Sequence, residues 1–216
     1  MEKIRLKTFT LISVLIAFMV LTSMCNIVVY GQATSLTFVV ALDGSGDFKD
    51  IQSAINAVPS TVKGVILVKE GLYDLNPQFK SPYQSIIVRS NLVLRGMGID
   101  KTTIRSFPTK QPAGSAVRAP TILSKSNIQN LIMEDLTMIQ NGTPDNMGWS
   151  AIDLRGGTNT NITIRNVKIT DATGAAIQIR QFNNITIEKC NIQRAWTGIN
   201  LHGGKNGQIK ANQITN

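Results

Sequence analysis

The sequence predicts an all-β protein, a parallel β-helix with a short N-terminal capping α-helix, and three observations lead there. First, the chain repeats itself between Asn130 and Asn216: Asn161-Ile162-Thr163-Ile164, Asn184-Ile185-Thr186-Ile187 and Asn206-Gly207-Gln208-Ile209 fall 23 and then 22 residues apart. A period of this length marks a solenoid. Second, Val167-Lys168-Ile169, Cys190-Asn191-Ile192 and Asn212-Gln213-Ile214 keep the same step, and a third short segment closes each unit: Ile152-Asp153-Leu154, Ile177-Gln178-Ile179 and Ile199-Asn200-Leu201. Each segment alternates apolar, polar, apolar, the pattern of a strand with one buried and one wet face. Third, a unit of about 22 residues that holds two or three such strands, with Gly and Asn between them, has no room for a helix. Each strand then lies on its equivalent one turn earlier.

The elements follow in chain order. Lys3, Arg5 and Lys7 precede an apolar run from Leu11 to Val20, and Gly31-Gln32-Ala33 offers small residues for cleavage. Residues 1–33 therefore read as a secretory signal peptide, with the β-helix domain in 34–216. The alternative is an uncleaved single-pass anchor, the one case in which a membrane is a partner, because the apolar stretch approaches the ~20 residues of a spanning helix. A lipid anchor on Cys25 fits less well, since Met24 stands where a small residue belongs. Thr37-Phe38-Val39-Val40-Ala41 is a strand, and Asp43-Gly44-Ser45-Gly46-Asp47-Phe48 is rich in turn formers. Ile51, Ala54, Ile55 and Val58 then recur at helical spacing, with Asp50 placed to cap the start and Pro59 to stop the end. A helix ahead of the first coil covers an otherwise open aliphatic end. Val65-Ile66-Leu67-Val68, Ile86-Ile87-Val88, Leu92-Val93-Leu94, Thr103-Ile104-Arg105 and Thr121-Ile122-Leu123 build the first coils, and the stretches 106–120 and 141–150 are excursions. Projecting loops are where sites are usually built.

Stacking turns the repeats into a map. The expected inward files are Met133, Ile164, Ile187, Ile209; Met138, Ile169, Ile192, Ile214; and Ile152, Ile177, Ile199. Cys190 joins Leu136 and Val167 inside, a buried thiol with no disulfide partner. Asn130, Asn161, Asn184 and Asn206 form a file at a turn, where stacked amides bond along the axis. Glu134, Arg165, Glu188 and Lys210 alternate in sign on a solvated face. Asn141, Asn161 and Asn184 open glycosylation sequons, of which only Asn141 lies clear of the asparagine file. The chain stops inside a coil, so either it is a fragment or another subunit covers that end.

The segment DGSGDFKDIQSAINAVPS, followed by VILVKEGLYDL and NLVLRGMGIDKTTIRS, resembles the N-terminal part of pectinesterases and related proteins with the pectate-lyase-like fold, over roughly residues 37–105. The resemblance implies a right-handed coil and an acidic-polysaccharide substrate. Pectinesterases carry their acid and nucleophile aspartates in a motif of the form GTVDFIFG and an arginine in LGRPW; neither string occurs here. Gly174-Ala175-Ala176-Ile177-Gln178-Ile179-Arg180 is faintly similar to that family's QAVALR strand.

One outward face has chemical character. Asp153, Gln178 and Asn200 form its first row, and Arg155, Arg180 and His202 its second, about 7 Å away, with Gly156, Gly203 and Gly204 keeping the edge low. No second acid stands beside Asp153, which disfavours a glycoside hydrolase pair. Arginines in register suit carboxylates, and Arg155, Arg180 or His202 as proton acceptor would serve β-elimination of a uronate. Asp153, Gln178, Asn200, Trp149 and Trp196 are the expected substrate-binding residues, the indoles stacking on sugar rings. No cofactor or metal site is expected: Ca²⁺ is conceivable for such chemistry, yet Asp153 is the single acidic ligand on the face. A formal charge of +9, which becomes +7 when three bases and one acid leave with residues 1–33, suits acidic polysaccharides or cell-surface glycans as well as plain solubility. Nucleic acid is not expected, since there is no basic run. The sequence thus supports an exported β-helix that binds or cleaves an acidic polysaccharide, by β-elimination if catalytic. The rival is a non-catalytic cell-surface scaffold or adhesion protein.

Overall fold

A computed structural model describes residues 35–75, 85–107, 120–141 and 150–215, all within the unit Thr34–Asn216. The expected signal peptide, Cys25, Trp149 and most of both excursions lie outside the described residues.

Three files of parallel strands wind into a right-handed β-helix. One file runs β1 (Ser35–Val40), β2 (Lys63–Val68), β5 (Leu92–Arg95), β8 (Gln129–Gln140), β10 (Asn159–Thr170), β12 (Phe182–Glu188) and β15 (Lys205–Lys210). A second runs β3 (Gly71–Asp74), β6 (Thr102–Ser106), the far halves of β8 and β10, β13 (Asn191–Gln193) and β16 (Gln213–Thr215). These two files make sheet A. Sheet B is the third, in the order β4 (Ile86–Val88), β7 (Ile122–Ser124), β9 (Ile152–Leu154), β11 (Ala175–Arg180) and β14 (Thr197–His202).

The expected inward files are in register. Met133, Ile164, Ile187 and Ile209 are successive partners, as are Met138, Ile169, Ile192 and Ile214, and Ile152, Ile177 and Ile199. β-Branched side chains suit this pleated, close-packed lattice. Burial holds until the last coil, where Ile209 and Ile214 are half exposed because no further described coil covers them. Cys190 is buried, and burial pushes its thiol up to about 11, so it remains a neutral, inert thiol.

The corners need left-handed backbone. Asn91, Asn130, Asn161 and Asn184 have φ between 55° and 58°, a region that asparagine tolerates better than other side-chain-bearing residues. Their amides form a chain: Asn130 Nδ2 donates to Asn91 Oδ1 at 2.8 Å, Asn161 to Asn130 at 3.0 Å and Asn184 to Asn161 at 2.8 Å. Asn206 keeps the file's register position and a φ of 57°, but its amide donates to Asn183 rather than to Asn184. Asp135 and Asn166 turn a second corner at φ 59° and 49°, bending β8 and β10 between the two halves of sheet A. The charged file is also present and begins earlier, at Arg95. Glu134 is buried between Arg95 and Arg165, which both donate to it, and Lys210 pairs with Glu188 at 3.2 Å.

At the N-terminal end α1 (Ile51–Ala57) starts at Asp50, whose side chain accepts from Ser53 N at 2.8 Å, and buries Ile51, Ala54 and Ile55. Its Gln52 reaches the first strand of sheet B. Oε1 accepts from Ile87 N at 2.7 Å, and Nε2 lies 3.4 Å from Ile87 O. The helix is the expected lid, and one side chain also takes the place of a missing strand.

Two outcomes follow for stability. Asn161→Ala loses one hydrogen bond given and one taken while keeping a strained backbone, so it should cost about 2–3 kcal/mol, and Asn161→Gly about 1 kcal/mol less. Denaturation curves that show equal losses would contradict the backbone part of this account. Glu134 ionises at lower pH than an ordinary glutamate: burial pushes its pKa up, but hydrogen bonds from Arg165 and Arg95 outweigh it. A depressed carboxylate contributes stability above its unfolded value of 4.5 and loses it as pH falls through the folded value. Melting temperature should therefore fall less steeply below pH 4.5 in Glu134→Gln than in the wild type, and parallel slopes would exclude this role.

Candidate functional site

Sheet B carries the site because its strands end in exposed polar residues. Asp153 and Asn200 are the register partners of Gln178 on either side, and Arg180 pairs with His202. Arg155 follows directly after β9, so the two expected rows are in place. Access to them differs. Asn200, Arg180 and His202 are exposed, Gln178 is half-buried and Trp196 is 73% exposed. Asp153 is only 2% exposed. Both its oxygens are taken by Nε and Nη2 of Arg155, whose own side chain is largely covered. An ionised carboxylate out of water needs such a partner, and a guanidinium two residues along the same strand face can fork back onto it. Asp153 and Arg155 are thus a structural clamp, not the open ligand and free cation expected of them.

The glycines also differ from expectation. A Cβ at Gly156 would stand 2.6 Å from Ser126 N, and one at Gly204 would stand 2.3 Å from the Phe182 ring. They allow coils and an aromatic ring to pack closely, so the low edge is a by-product of that packing.

A buried polar cluster behind the face was not anticipated. Gln140 is fully buried; its Nε2 donates to Ser150 O at 3.2 Å and its Oε1 accepts from Thr173 N at 3.0 Å. Ser150 Oγ then donates to Gln178 Oε1 at 3.0 Å, which ties this side chain to the cluster. Asn159 Nδ2 ties together the carbonyls of Leu154, Gly157 and Arg180. Asn159 Oδ1 and Thr173 Oγ1 are buried without a protein partner, the setting in which an internal water resides. One signal for this cluster was in the sequence: Gln140 follows Met138 by two residues, so a polar side chain occupies an inward position.

Among the described residues no cluster of three or more His, Cys, Asp or Glu can hold a metal. The outward rows offer amide donors and acceptors, one guanidinium, one imidazole and an exposed indole. That set can bind hydroxyls and carboxylates and stack on a sugar ring.

The fold is that of the pectate-lyase-like β-helix class. The family model described as Pectinesterase matches residues 37–187, more than two thirds of the sequence, and the chain belongs to that family. Pectinesterase 2 of Citrus sinensis is 31% identical over 130 residues, covering 59% of this chain and 23% of the relative. Pectinesterase 5 of Arabidopsis thaliana is 40% identical over 76 residues, covering 34% and 12%. The A-module of the mannuronan C-5 epimerase AlgE4 from Azotobacter vinelandii shares the fold, with a TM-score of 0.51 at 20% identity over 75% of this chain and 46% of that one. The chain spans about a quarter or less of the length of the curated relatives it matches. The likeness extends well past the expected 37–105. It also points to esterases, which corrects the β-elimination expected from the arginine face. Arg155, one of the expected proton acceptors, is in any case held by Asp153.

The clamp has a measurable worth. Asp153→Asn leaves Arg155 largely buried without its counter-charge and should cost about 3 kcal/mol. A change in urea midpoint equivalent to less than about 1 kcal/mol would mean that the pair does not hold this face together.

Proposed function

We propose that the protein is exported and acts on pectin, that the face of Gln178, Asn200, Arg180, His202 and Trp196 holds the polyuronate chain, and that ester hydrolysis is the reaction of the whole protein. The observation that carries this reading is the family match over residues 37–187. The geometry agrees with it. Successive coils repeat at about 4.8 Å, so neighbouring polar side chains meet neighbouring hydroxyls and carboxylates of an extended polymer. Arg180 suits a free carboxylate bidentately, His202 adds a donor beside it, and Trp196 offers a flat apolar surface. A formal net charge of +9, or +7 once residues 1–33 leave, favours an acidic polymer over a neutral one.

A second reading, binding without turnover, is favoured by Asp153. Among the described residues it is the one acid in the outward rows of sheet B, and Arg155 occupies it. The strings GTVDFIFG and LGRPW are absent as well.

Methanol release from highly methyl-esterified pectin, measured beside retardation in gels that contain polygalacturonate, separates the readings. Release together with retardation supports the esterase, and retardation alone supports the binder. Arg180→Ala should weaken retardation about fivefold to thirtyfold. Neither release nor retardation, from a chain with intact β-structure, would overturn both.

A further inference from the structure

A cavity of about 340 Å³ lies on the outer side of sheet A, away from the face just described, lined by Val39, Leu67, Lys69, Glu70, Met97 and Lys101. Val39 and Leu67 are register partners on β1 and β2 and form an apolar floor. Met97 stands at the edge with 57% of its surface exposed, an unusual position for a large apolar side chain.

The walls are fixed by the fold. Thr102 is fully buried, and its Oγ1 lies 3.1 Å from the carbonyls of both Val68 and Lys69 while accepting from Met97 N at 2.9 Å. Gly71 N donates to Lys101 O, also at 2.9 Å. One hydroxyl and one backbone bond thus hold the turn that bears Met97 and Lys101 against the end of β2. Gly96 permits this approach, because a Cβ there would stand 2.2 Å from Asp135 O. The size falls at the lower end of small-molecule pockets.

The charges are also arranged. Lys69 Nζ donates to Ser45 Oγ at 3.0 Å, and Ser45 Oγ donates in turn to Asp43 Oδ1 at 2.6 Å. This relay positions the ammonium and leaves it two further donors. Lys101 makes no ion pair among the described residues, and neither does Glu70 on the same rim. Two cations beside an apolar floor complement one negative charge on an apolar body. Glu70 opposes a second negative charge.

We propose that this cavity is a second binding site, separate from the sheet B face, for a small amphipathic monocarboxylic acid. Its apolar body covers Val39, Leu67 and Met97, and its carboxylate meets Lys69 and Lys101. Nothing in the pectin reading requires this site, so the two stand or fall separately.

Titration of the full chain with 1-naphthoic acid, followed by the ligand's fluorescence, tests it. Saturable binding below about 1 mM is expected. Lys69→Met and Lys101→Met should each weaken it about fivefold, and Met97→Asp, an exposed position that spares the core, should weaken it at least as much. Methyl 1-naphthoate, which lacks the charge, should bind more weakly than the acid. Arg180→Ala should leave the titration unchanged. No saturation in the wild type overturns the proposal, as does equal binding of acid and ester with the lysine variants unaltered. So does a loss in Arg180→Ala as large as that in Lys69→Met, which would put the acid on sheet B.

Discussion

The described β-helix rests on parallel registration, each coil hydrogen-bonded through its backbone to the one before, with side chain above side chain at the same position. At that spacing whatever occupies a position meets the residue one coil away, so every file must be self-compatible. Isoleucines satisfy this by packing. Asparagines satisfy it because an amide is donor at one end and acceptor at the other, so the chain from Asn91 to Asn184 propagates without a mismatch. Like charges fit only when one is neutralised, as Arg155 is by Asp153 beside Arg180, and the Arg95, Glu134, Arg165, Glu188, Lys210 file alternates in sign.

This rule explains what could be read in advance. Wherever one coil resembles the next, the sequence contains both partners of each contact, and the inward files and the Asp153, Gln178, Asn200 row follow from spacing alone. The helix was legible for a different reason: Asp50, the apolar spacing and Pro59 are local signals. Reading failed where a contact joins unlike residues. Asn206 stands opposite Asn184 in register yet bonds diagonally to Asn183, a contact the repeat does not announce. Gln52 meets Ile87 across 35 residues with no repeat to announce it. The fold was therefore more legible than the site, since a lattice repeats and a site does not.

Burial accounts for the remaining difference at sheet B. Alternation assigns Asp153 to the outer side of its strand, and the register agrees, yet an outward direction does not make a side chain accessible. Arg155 lies across it, and the open polar surface shifts towards Gln178, Asn200, Arg180 and His202. Behind them Gln140, Ser150 and Asn159 convert inward polar positions into supports, tying down the Gln178 side chain and the Arg180 carbonyl. The outer row is presented by an inner one that alternation alone would have filled with aliphatic residues.

The Gln52 contact with Ile87 has a further consequence. A strand edge is a template that accepts any extended chain, and repetitive parallel lattices are prone to elongate by recruiting more of themselves. Because Gln52 supplies both an acceptor and a donor to Ile87, the starting edge of sheet B is occupied at that residue by a group that offers no strand to continue from. The stack is thereby given a polarity: at this point of sheet B, accretion is blocked on the helix side, and elongation there can proceed only away from it.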